Sequence, residues 1–213
     1  MVFGNVPVKY RCKSKNMMMK KSLIAVAAAI AAFAGVTAHA ADEGPWLVRA
    51  RAVHLQSDNG GGLGVSINNK WLPEVDISYF FTPNIAAELI LTVPQKQDVF
   101  LSGAKVGTLR HLPPTLTAQY HFLPSGSVRP YVGAGLNYTL FSSVNLPSPF
   151  SIDKNSFGPA LQAGVDVPVA KNVVFNIDVK KVYIRTDVSS AGTRLGTFKV
   201  DPLLVGVGLG YRF

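Results

Sequence analysis

The C-terminal segment DPLLVGVGLGYRF, residues 201–213, alternates from Leu203 onward between large apolar side chains and mostly small or polar ones. From Leu203 its odd positions are all apolar or aromatic, and three of its even positions are glycine. Successive side chains of a strand point to opposite faces, so the segment has one apolar face and one face of small and polar groups. An apolar outer face, a polar inner face and a terminal Phe are typical of a strand in a transmembrane β-barrel.

The same alternation recurs in seven earlier segments, and no segment after residue 40 follows the 3.6-residue period of a helix. We therefore predict an all-β chain that forms an eight-stranded antiparallel transmembrane β-barrel. In the seventh segment the apolar phase shifts at Val182 and Ile184, which predicts a bulge. The seven segments are Trp46–Gln56, Trp71–Phe81, Ile85–Val93, Thr115–Phe122, Arg129–Phe141, Phe157–Val169 and Val173–Arg185.

The connections between these segments alternate in length. Residues 82–84, 123–128 and 168–172 are short and rich in turn-forming residues, whereas residues 57–70, 95–107, 142–156 and 186–196 form longer loops. Short periplasmic turns and longer extracellular loops are expected of an outer-membrane barrel. The Pro113–Pro114 pair predicts a strand entry or a bulge, because proline cannot donate to a β-ladder.

The first 40 residues predict a segment that is removed from the mature protein. Met19-Lys20-Lys21 is followed by an Ala-rich apolar stretch that ends at Ala38-His39-Ala40, the pattern of a secretory signal peptide. The residues before Met17 form an upstream extension. We expect residues 1–40 to be extension plus cleaved signal and residues 41–213 to be the barrel.

This cleavage changes the charge of the chain. Six of the 21 basic residues and none of the 12 acidic residues precede residue 41, so the net charge falls from +9 to about +3. The smaller charge argues against a nucleic-acid-binding protein. Cys12 is removed as well, and the remaining chain has no thiol for a disulfide or for catalysis.

The remaining sequence contains no pattern of catalytic or metal-binding residues. His54, His111 and His121 are the only histidines after residue 40, and no nucleophile motif or ligand cluster surrounds them. We expect them to be structural or rim residues, and we expect neither an enzyme nor a cofactor or metal. A different group is expected to face the lumen and to be able to plug it with ion pairs, namely Arg49, Arg51, Glu74, Asp76, Glu88, Asp178 and Lys180.

Four segments resemble the OmpW family of small outer-membrane barrels, which includes relatives implicated in alkane uptake. They are residues 111–116 (HLPPTL), 129–139 (RPYVGAGLNYT), 164–166 (GVD) and 200–213 (VDPLLVGVGLGYRF), and they occur in the family's order. The resemblance implies an eight-stranded barrel with a narrow hydrophobic channel. Small apolar compounds would pass through this channel and leave sideways into the membrane.

Two positions of the family's channel lining can be carried over by local motif. The family's apolar lining residue falls on Ile90, and strand parity also points Ile90 inward, beside Glu88. The family's channel-narrowing Trp aligns with Lys180, which would make the constriction polar and could pair with Asp178 or Glu88. The predicted channel-lining residues are Ile90, Lys180, Glu88, Asp178, Arg49 and Arg51.

These observations predict a bacterial outer-membrane, porin-like channel for passive uptake of small, mainly hydrophobic molecules. The alternative is a plugged structural or adhesion barrel that acts through its extracellular loops. The expected partners are outer-membrane lipid and lipopolysaccharide, small hydrophobic solutes, the barrel-assembly machinery through the C-terminal Phe213, and phage or bacteriocins at the loops.

Overall fold

The computed structural model of the protein describes residues 44–213, so the predicted extension and signal peptide lie outside the described residues. Among the described residues, no helix is long and apolar enough to cross a membrane. The strands are β1 Trp46–Gln56, β2 Val65–Ile67, β3 Lys70–Phe80, β4 Ile85–Thr92, β5 Gln95–Leu101, β6 Ala104–Leu112, β7 Thr115–His121, β8 Arg129–Asn145, β9 Phe150–Ile152, β10 Asn155–Ala170, β11 Val173–Val182, β12 Arg185–Ser190, β13 Thr193–Lys199 and β14 Leu203–Arg212.

Eight of these strands form a closed antiparallel barrel. Their order around the wall is β1, β3, β4, β7, β8, β10, β11 and β14, and β14 pairs with β1 from Leu47↔Arg212 to Gln56↔Leu203. Closure leaves no open edge along the spanning wall, which matters because an unpaired backbone group in hydrocarbon costs several kcal/mol. The prediction of an eight-stranded transmembrane β-barrel is confirmed.

The short turns and both ends of the barrel lie at one rim. The turn between β3 and β4 is held by Thr82, whose hydroxyl oxygen accepts hydrogen bonds from the backbone N–H groups of Asn84 and Ile85 at 3.3 and 3.0 Å. Trp46 and Phe213 exchange backbone hydrogen bonds of 3.0 and 2.9 Å. This is the rim that the sequence predicts to be periplasmic.

At the opposite rim, the long connections predicted from sequence contain six further strands, which the sequence analysis did not identify. β5 and β6 form a hairpin to which β2 adds, while β9, β12 and β13 form a separate three-stranded sheet. The two hairpins turn at Ser102-Gly103 and Ala191-Gly192, where all four residues have positive φ angles. Such turns match the twist of paired strands. The barrel wall is therefore extended well beyond the eight spanning strands.

The outer surface of the barrel is apolar, with aromatic residues near its ends. Trp46 stacks edge-on against Tyr79 at the periplasmic rim, with ring centroids 4.8 Å apart, and Tyr120 does the same with Phe122 at 5.2 Å. Trp71 lies on the outer surface at the other end of β3 and is largely exposed. These placements match the aromatic girdles expected at the two membrane interfaces.

The bulge predicted near Val182 is absent. The shift in the apolar pattern instead reflects a change in the residues that line the lumen. Even-numbered residues of β11 face inward without interruption, and the pairing of β11 with β14 continues regularly to Lys181↔Leu203. Val182 and Ile184 belong to the same inward face as Asp178 and Lys180, and all four are buried. The side chains on that face change from charged to apolar, so the shift in sequence phase reflects a change of environment along the lumen.

Candidate functional site: a layered barrel interior

The inside of the barrel is divided into three layers along its axis. Nearest the periplasmic rim is an apolar base of Leu47, Phe80, Ala86 and Val174. Above it lies a layer of charged side chains, called here the ionic layer, which consists of Arg49, Arg51, Glu74, Asp76, Glu88, Asp166, Asp178 and Lys180. Above that is an apolar space enclosed by the outer strands, called here the outer chamber.

Arg49 lies at the lower side of the ionic layer and is fully buried. Its guanidinium binds Asp166 through two nitrogens, with Nε–Oδ1 and Nη2–Oδ2 distances of 3.2 and 2.7 Å. Its Nη1 also donates to Asp76 and to Ser78, each at 3.0 Å. Paired, bidentate hydrogen bonds of this kind are needed to hold a charge away from water.

Arg51 connects the layer across the lumen. It faces Glu74 in the register between β1 and β3, and its Nε lies 3.0 Å from Glu74 Oε1. Its Nη2 bonds both Asp76 and Glu88, the latter at 2.8 Å, and its Nη1 donates to Asn176 Oδ1 at 3.1 Å. The Arg51 guanidinium therefore binds side chains from three other strands, β3, β4 and β11.

Lys180 lies at the upper side of the ionic layer. Its Nζ is 2.6 Å from Glu74 Oε1 and 2.7 Å from Asp178 Oδ1. Of the two partners predicted from sequence, Asp178 is therefore in contact, whereas Glu88 bonds Arg51. Glu74 is a partner that the sequence analysis did not assign to Lys180.

Uncharged polar groups fill the space that the charges leave. Gln119 donates to Glu88 at 2.9 Å, and Gln162 donates to Asp178 at 2.8 Å. The Tyr131 hydroxyl donates to Asp178 at 2.9 Å. A side chain at Gly164 would overlap the Tyr131 ring, so that glycine provides the space for the tyrosine. The ionic layer thus occupies the cross-section of the barrel at this height.

Glycine on the last strand provides space for Arg51 in the same way. A side-chain carbon at Gly208 would lie 2.8 Å from Arg51 Cγ and would overlap the β1 backbone. The small inner face of residues 203–213, from which the barrel was predicted, is therefore the face against which the buried arginines pack.

The outer chamber is a cavity of about 130 Å³ with an almost entirely apolar lining. His111 and Thr186 are the two polar residues among its lining. Three of its apolar lining residues, Leu101, Phe150 and Leu195, are exposed on the outer strands. These exposed residues place the mouth of the chamber on the extracellular side of the barrel.

A smaller cavity of about 20 Å³, called here the floor pocket, lies between the outer chamber and the ionic layer. It shares His111 and Ile184 with the chamber and is bounded below by Glu74 and Lys180. Ile90, predicted to line the channel, is buried and lines this pocket. The pocket therefore connects the apolar and the charged parts of the interior.

His111 lies on β6, outside the eight spanning strands, and forms part of both cavities. Burial and, to a smaller extent, the nearby positive charge of Lys70 lower the pKa of His111 to about 4. The imidazole is therefore neutral at physiological pH and compatible with an apolar lining.

The barrel wall has a break beside the floor pocket. Pairing of β4 with β7 ends at Ile90↔Thr115, and pairing of β5 with β6 starts at Gln95↔His111. Residues 91–94 and 112–114 lie between these points and form no ladder with each other. This segment contains Pro94, Pro113 and Pro114, which have no N–H to donate. The predicted strand entry at the proline pair thus lies at a break in the wall.

Backbone carbonyls that the wall break leaves without ladder partners accept other hydrogen bonds. Asn137 Nδ2 donates to the carbonyls of Pro113 and Pro114, each at 3.2 Å. The Tyr138 N–H also donates to Pro114 O at 3.0 Å, and Gln95 Nε2 donates to Val93 O at 2.9 Å. Irregular backbone at membrane depth persists only where its polar groups are satisfied in this way.

The six residues predicted to line a channel occupy two settings. Arg49, Arg51, Glu88, Asp178 and Lys180 belong to the ionic layer, whereas Ile90 faces the floor pocket. Their role in a channel stays a prediction. Sequence reasoning missed Asp166 as the partner of Arg49, although its inward parity on β10 was visible.

Among residues 44–213, no group of three or more His, Cys, Asp or Glu side chains could hold a metal ion. The many carboxylates of the ionic layer are instead bound to arginine and lysine. The arrangement is thus one of buried ion pairs below an apolar cavity.

Comparison with known proteins identifies relatives among outer-membrane proteins. The OmpW family profile matches residues 21–213. The chain is 42% identical to an uncharacterized outer-membrane protein, y4mB, of Sinorhizobium fredii, over 82% of each chain. It is 31% identical to outer membrane protein W of Escherichia coli, over 92% of this chain and 100% of the relative.

A further relative and a solved structure are also similar to the chain. The dibenzothiophene metabolism operon protein PahQ of Pseudomonas aeruginosa is 31% identical over 81% of this chain and 90% of its own. The crystal structure of the outer membrane protein OprG from Pseudomonas aeruginosa matches with a TM-score of 0.69 and 25% identity, covering 80% of this chain and 97% of that one. The family match, these relatives and the closed barrel agree: the chain belongs to the OmpW family, and it is a β-barrel protein of the bacterial outer membrane.

Proposed function

We propose that the protein takes up small apolar molecules from outside the cell. In this proposal the solute enters the outer chamber, reaches the floor pocket and leaves through the wall break into the membrane. The ionic layer closes the route along the barrel axis. The spanning lumen is therefore used only in its upper part.

The lining of the outer chamber supports an apolar solute. A cavity of this size with two polar lining residues offers burial but few hydrogen bonds, and apolar surface gains about 25 cal/mol for each Å² removed from water. A strongly polar solute would lose its hydration without compensation. The chamber thus favours hydrocarbon-like molecules.

The ionic layer supports a sideways exit. Its arginines and lysine are at most a few per cent exposed and are bound by carboxylates from several strands. An apolar solute that passed through this layer would have to separate buried ion pairs, which is strongly unfavourable.

The observation that carries the proposal is the position of the wall break. Thr92, Pro113 and Thr115 border the break and also line the floor pocket. Leu91 and Val93 face outward beside it and are exposed on the lipid-facing surface. A solute in the pocket is therefore next to the hydrocarbon of the bilayer. The relative PahQ, named for a dibenzothiophene metabolism operon, also suggests an apolar substrate.

A pair of neighbouring substitutions tests this route. Thr92→Trp would fill the floor pocket from inside, whereas Leu91→Trp would place the same side chain in lipid. We expect uptake of the apolar dye N-phenyl-1-naphthylamine by cells of a Gram-negative host to fall about tenfold toward the empty-vector rate for Thr92→Trp, a barrier change of about 1.4 kcal/mol. Leu91→Trp should retain the rate of the unmodified barrel.

The rival function is a plugged structural or adhesion barrel that acts through its outer strands. The filled ionic layer is the observation that favours it. In that case the unmodified barrel, both Trp variants and the empty vector would give the same rate of dye entry. Equal rates would contradict the uptake proposal.

We propose that residues 1–40 are removed during export and that Phe213 is recognised by the assembly machinery. The outer strands and hairpins are the surfaces that a phage or bacteriocin would meet. The relatives are outer-membrane barrel proteins, and we propose no catalytic activity for this one.

A further inference from the structure

Two basic side chains lie directly opposite each other on the outer face of the β5–β6 hairpin. Lys96 and Arg110 are register partners at the base of this hairpin, where it leaves the spanning wall. Each is exposed between buried neighbours on its own strand, so both side chains point away from the outer chamber. Like charges directly opposite in an antiparallel pair are destabilising, and an external anion would relieve their repulsion.

The β12–β13 hairpin repeats this arrangement on the opposite side of the barrel. It connects β11 with β14, whereas the β5–β6 hairpin connects β4 with β7, and these two strand pairs occupy opposite positions around the wall. Arg185 and Lys199 are register partners at its base, and both are exposed. Arg185 Nε lies 3.4 Å from Asp201 Oδ2, and the Lys181 ammonium donates to the Asp201 carbonyl at 2.5 Å. Three cations therefore meet one carboxylate at this base.

Basic residues nearer the hairpin tips already have carboxylate partners. Lys105 Nζ lies 2.8 Å from Asp98 Oδ1, and Asp98 is the one carboxylate in the sequence of the β5–β6 hairpin. On the other hairpin, Arg194 Nη2 donates to Asp187 Oδ1 at 2.9 Å. Within the described residues, by contrast, the opposed pair at the base of the β5–β6 hairpin has no carboxylate partner. The uncompensated positive charge is thus concentrated at the hairpin bases.

The hairpin bases lie just above the lipid-facing apolar surface. Val93 is exposed three residues before Lys96, and Leu203, which is also exposed, pairs with Lys181. A strand rises about 3.3 Å per residue, so Lys96 lies at most about 10 Å beyond the last apolar side chain below it. Long basic side chains extend along such a boundary with their charges in the polar region. The positive charge is therefore at the height of the outer-leaflet headgroups.

We propose that each hairpin base binds a phosphate group of lipopolysaccharide in the outer leaflet. A phosphate accepts paired hydrogen bonds from an arginine fork and attracts the lysine charge beside it. The acyl chains of the same lipid would cover the exposed apolar surface around Val93 and Leu203, which a soluble acidic protein could not do. The site is independent of the proposed solute route, because its side chains face outward from the chamber.

The test counts the lipids bound to the purified barrel in an uncharged detergent by native mass spectrometry. One probe is bisphosphorylated lipid A, and the other is the same acylated disaccharide without its phosphates. We expect the unmodified barrel to bind two molecules of lipid A, about thirtyfold more tightly than the phosphate-free lipid, because each basic side chain near an anionic headgroup adds to the affinity.

The matched double variants each remove two positive charges. Lys96→Gln with Arg110→Gln removes the opposed pair and should lower the number of tightly bound lipid A molecules from two to one. Lys171→Gln with Arg194→Gln changes the net charge equally, but at the exposed turn after β10 and near the tip of the β12–β13 hairpin. This control should still bind two molecules. Heat-dependent mobility of each variant on a gel checks that the barrel is folded.

Urea unfolding of the first double variant gives an independent answer. Without lipid A, loss of the opposed charges should leave its unfolding midpoint equal to or above that of the unmodified barrel. With lipid A, the midpoint of the unmodified barrel should rise more than that of the variant, since a bound ligand stabilises the folded state. The same number of lipids on both double variants would overturn the proposal. Equal affinity for the two lipids would also overturn it and would leave the bases open to a soluble acidic partner.

Discussion

The ionic layer is formed by spanning strands and the outer chamber mainly by the outer strands, and the two are stabilised by different interactions. On β1 the inward residues Arg49 and Arg51 are followed by Val53 and Leu55, and on β11 Lys180 is followed by Val182. The ionic layer depends on specific partners for its buried charges, whereas the outer chamber depends on non-directional burial of apolar surface. The two parts should therefore respond very differently to substitution.

The largest expected effect is the loss of a charge from the ionic layer. Arg51→Met would leave Glu74, Asp76 and Glu88 without one of their shared cationic partners. Removing one partner from a buried ion pair typically costs about 3–5 kcal/mol. We expect a loss of that size in the free energy of unfolding, measured by urea titration in detergent micelles with tryptophan fluorescence. A loss below about 1 kcal/mol, the size typical of a surface pair, would mean that the layer is hydrated.

A smaller effect is expected from acidification of the outer chamber. Burial lowers the pKa of His111 to about 4, against about 6.5 when unfolded, so the unfolded chain binds the proton first as pH falls. The contribution of His111 to the free energy of unfolding should thus decline as the pH falls from about 6.5 to about 4, by at most about 3 kcal/mol. Below about pH 4 it should stay constant.

His111→Gln provides the control for this pH dependence, because it removes the titrating group. The difference between the unfolding free energies of the two proteins should vary with pH in the window from about 4 to 6.5 and be constant above it. Asp187 does not contribute to the pH dependence in this window, because hydrogen bonds from Arg194 and Thr197 lower its pKa. A difference that does not change with pH would show that His111 remains in contact with water.

A conservative change in the chamber should have a milder effect. Ile184→Val removes one methylene from a buried side chain that lines both cavities and leaves no polar group unpaired. Such changes typically cost about 1 kcal/mol. The same urea titration measures it, and a cost as large as that of Arg51→Met would contradict the contrast between the two parts.

The smallest effect is expected for a charge on the outer strands. Arg194 and Asp187 form an ion pair with an Nε–Oδ2 distance of 2.5 Å, but Arg194 is largely exposed to solvent and Asp187 is partly exposed. Arg194→Met should leave the unfolding midpoint unchanged within error, because water and salt screen such pairs. This variant is also the matched control for Arg51→Met, and a clear destabilisation would indicate that the outer sheet is essential for barrel stability.

Much of the barrel could be predicted from sequence because its lipid-facing side imposes a strict two-residue period. The eight predicted segments agree closely with the eight spanning strands, for example Trp46–Gln56 for β1. The six outer strands were missed because their alternation is interrupted by polar and turn residues. The shift at Val182 was misinterpreted because the inward face itself changes from charged to apolar.

The candidate site was less predictable, since its contacts join strands that are distant in sequence. Inward parity placed Arg49, Arg51 and Lys180 in the lumen. It could not show that Arg49 binds Asp166, 117 positions away. The prolines at 113 and 114 indicated an irregular strand, but only the register on both sides shows that the ladder is interrupted there.

The hydrogen bonds to the backbone carbonyls at the wall break affect how the barrel can interact with neighbouring membrane proteins. The carbonyls of Val93, Pro113 and Pro114 accept hydrogen bonds from Gln95, Asn137 and Tyr138, and Pro94, Pro113 and Pro114 have no N–H to donate. The break therefore presents few free backbone groups on which a neighbouring protein could add a strand, and we expect it not to promote aggregation.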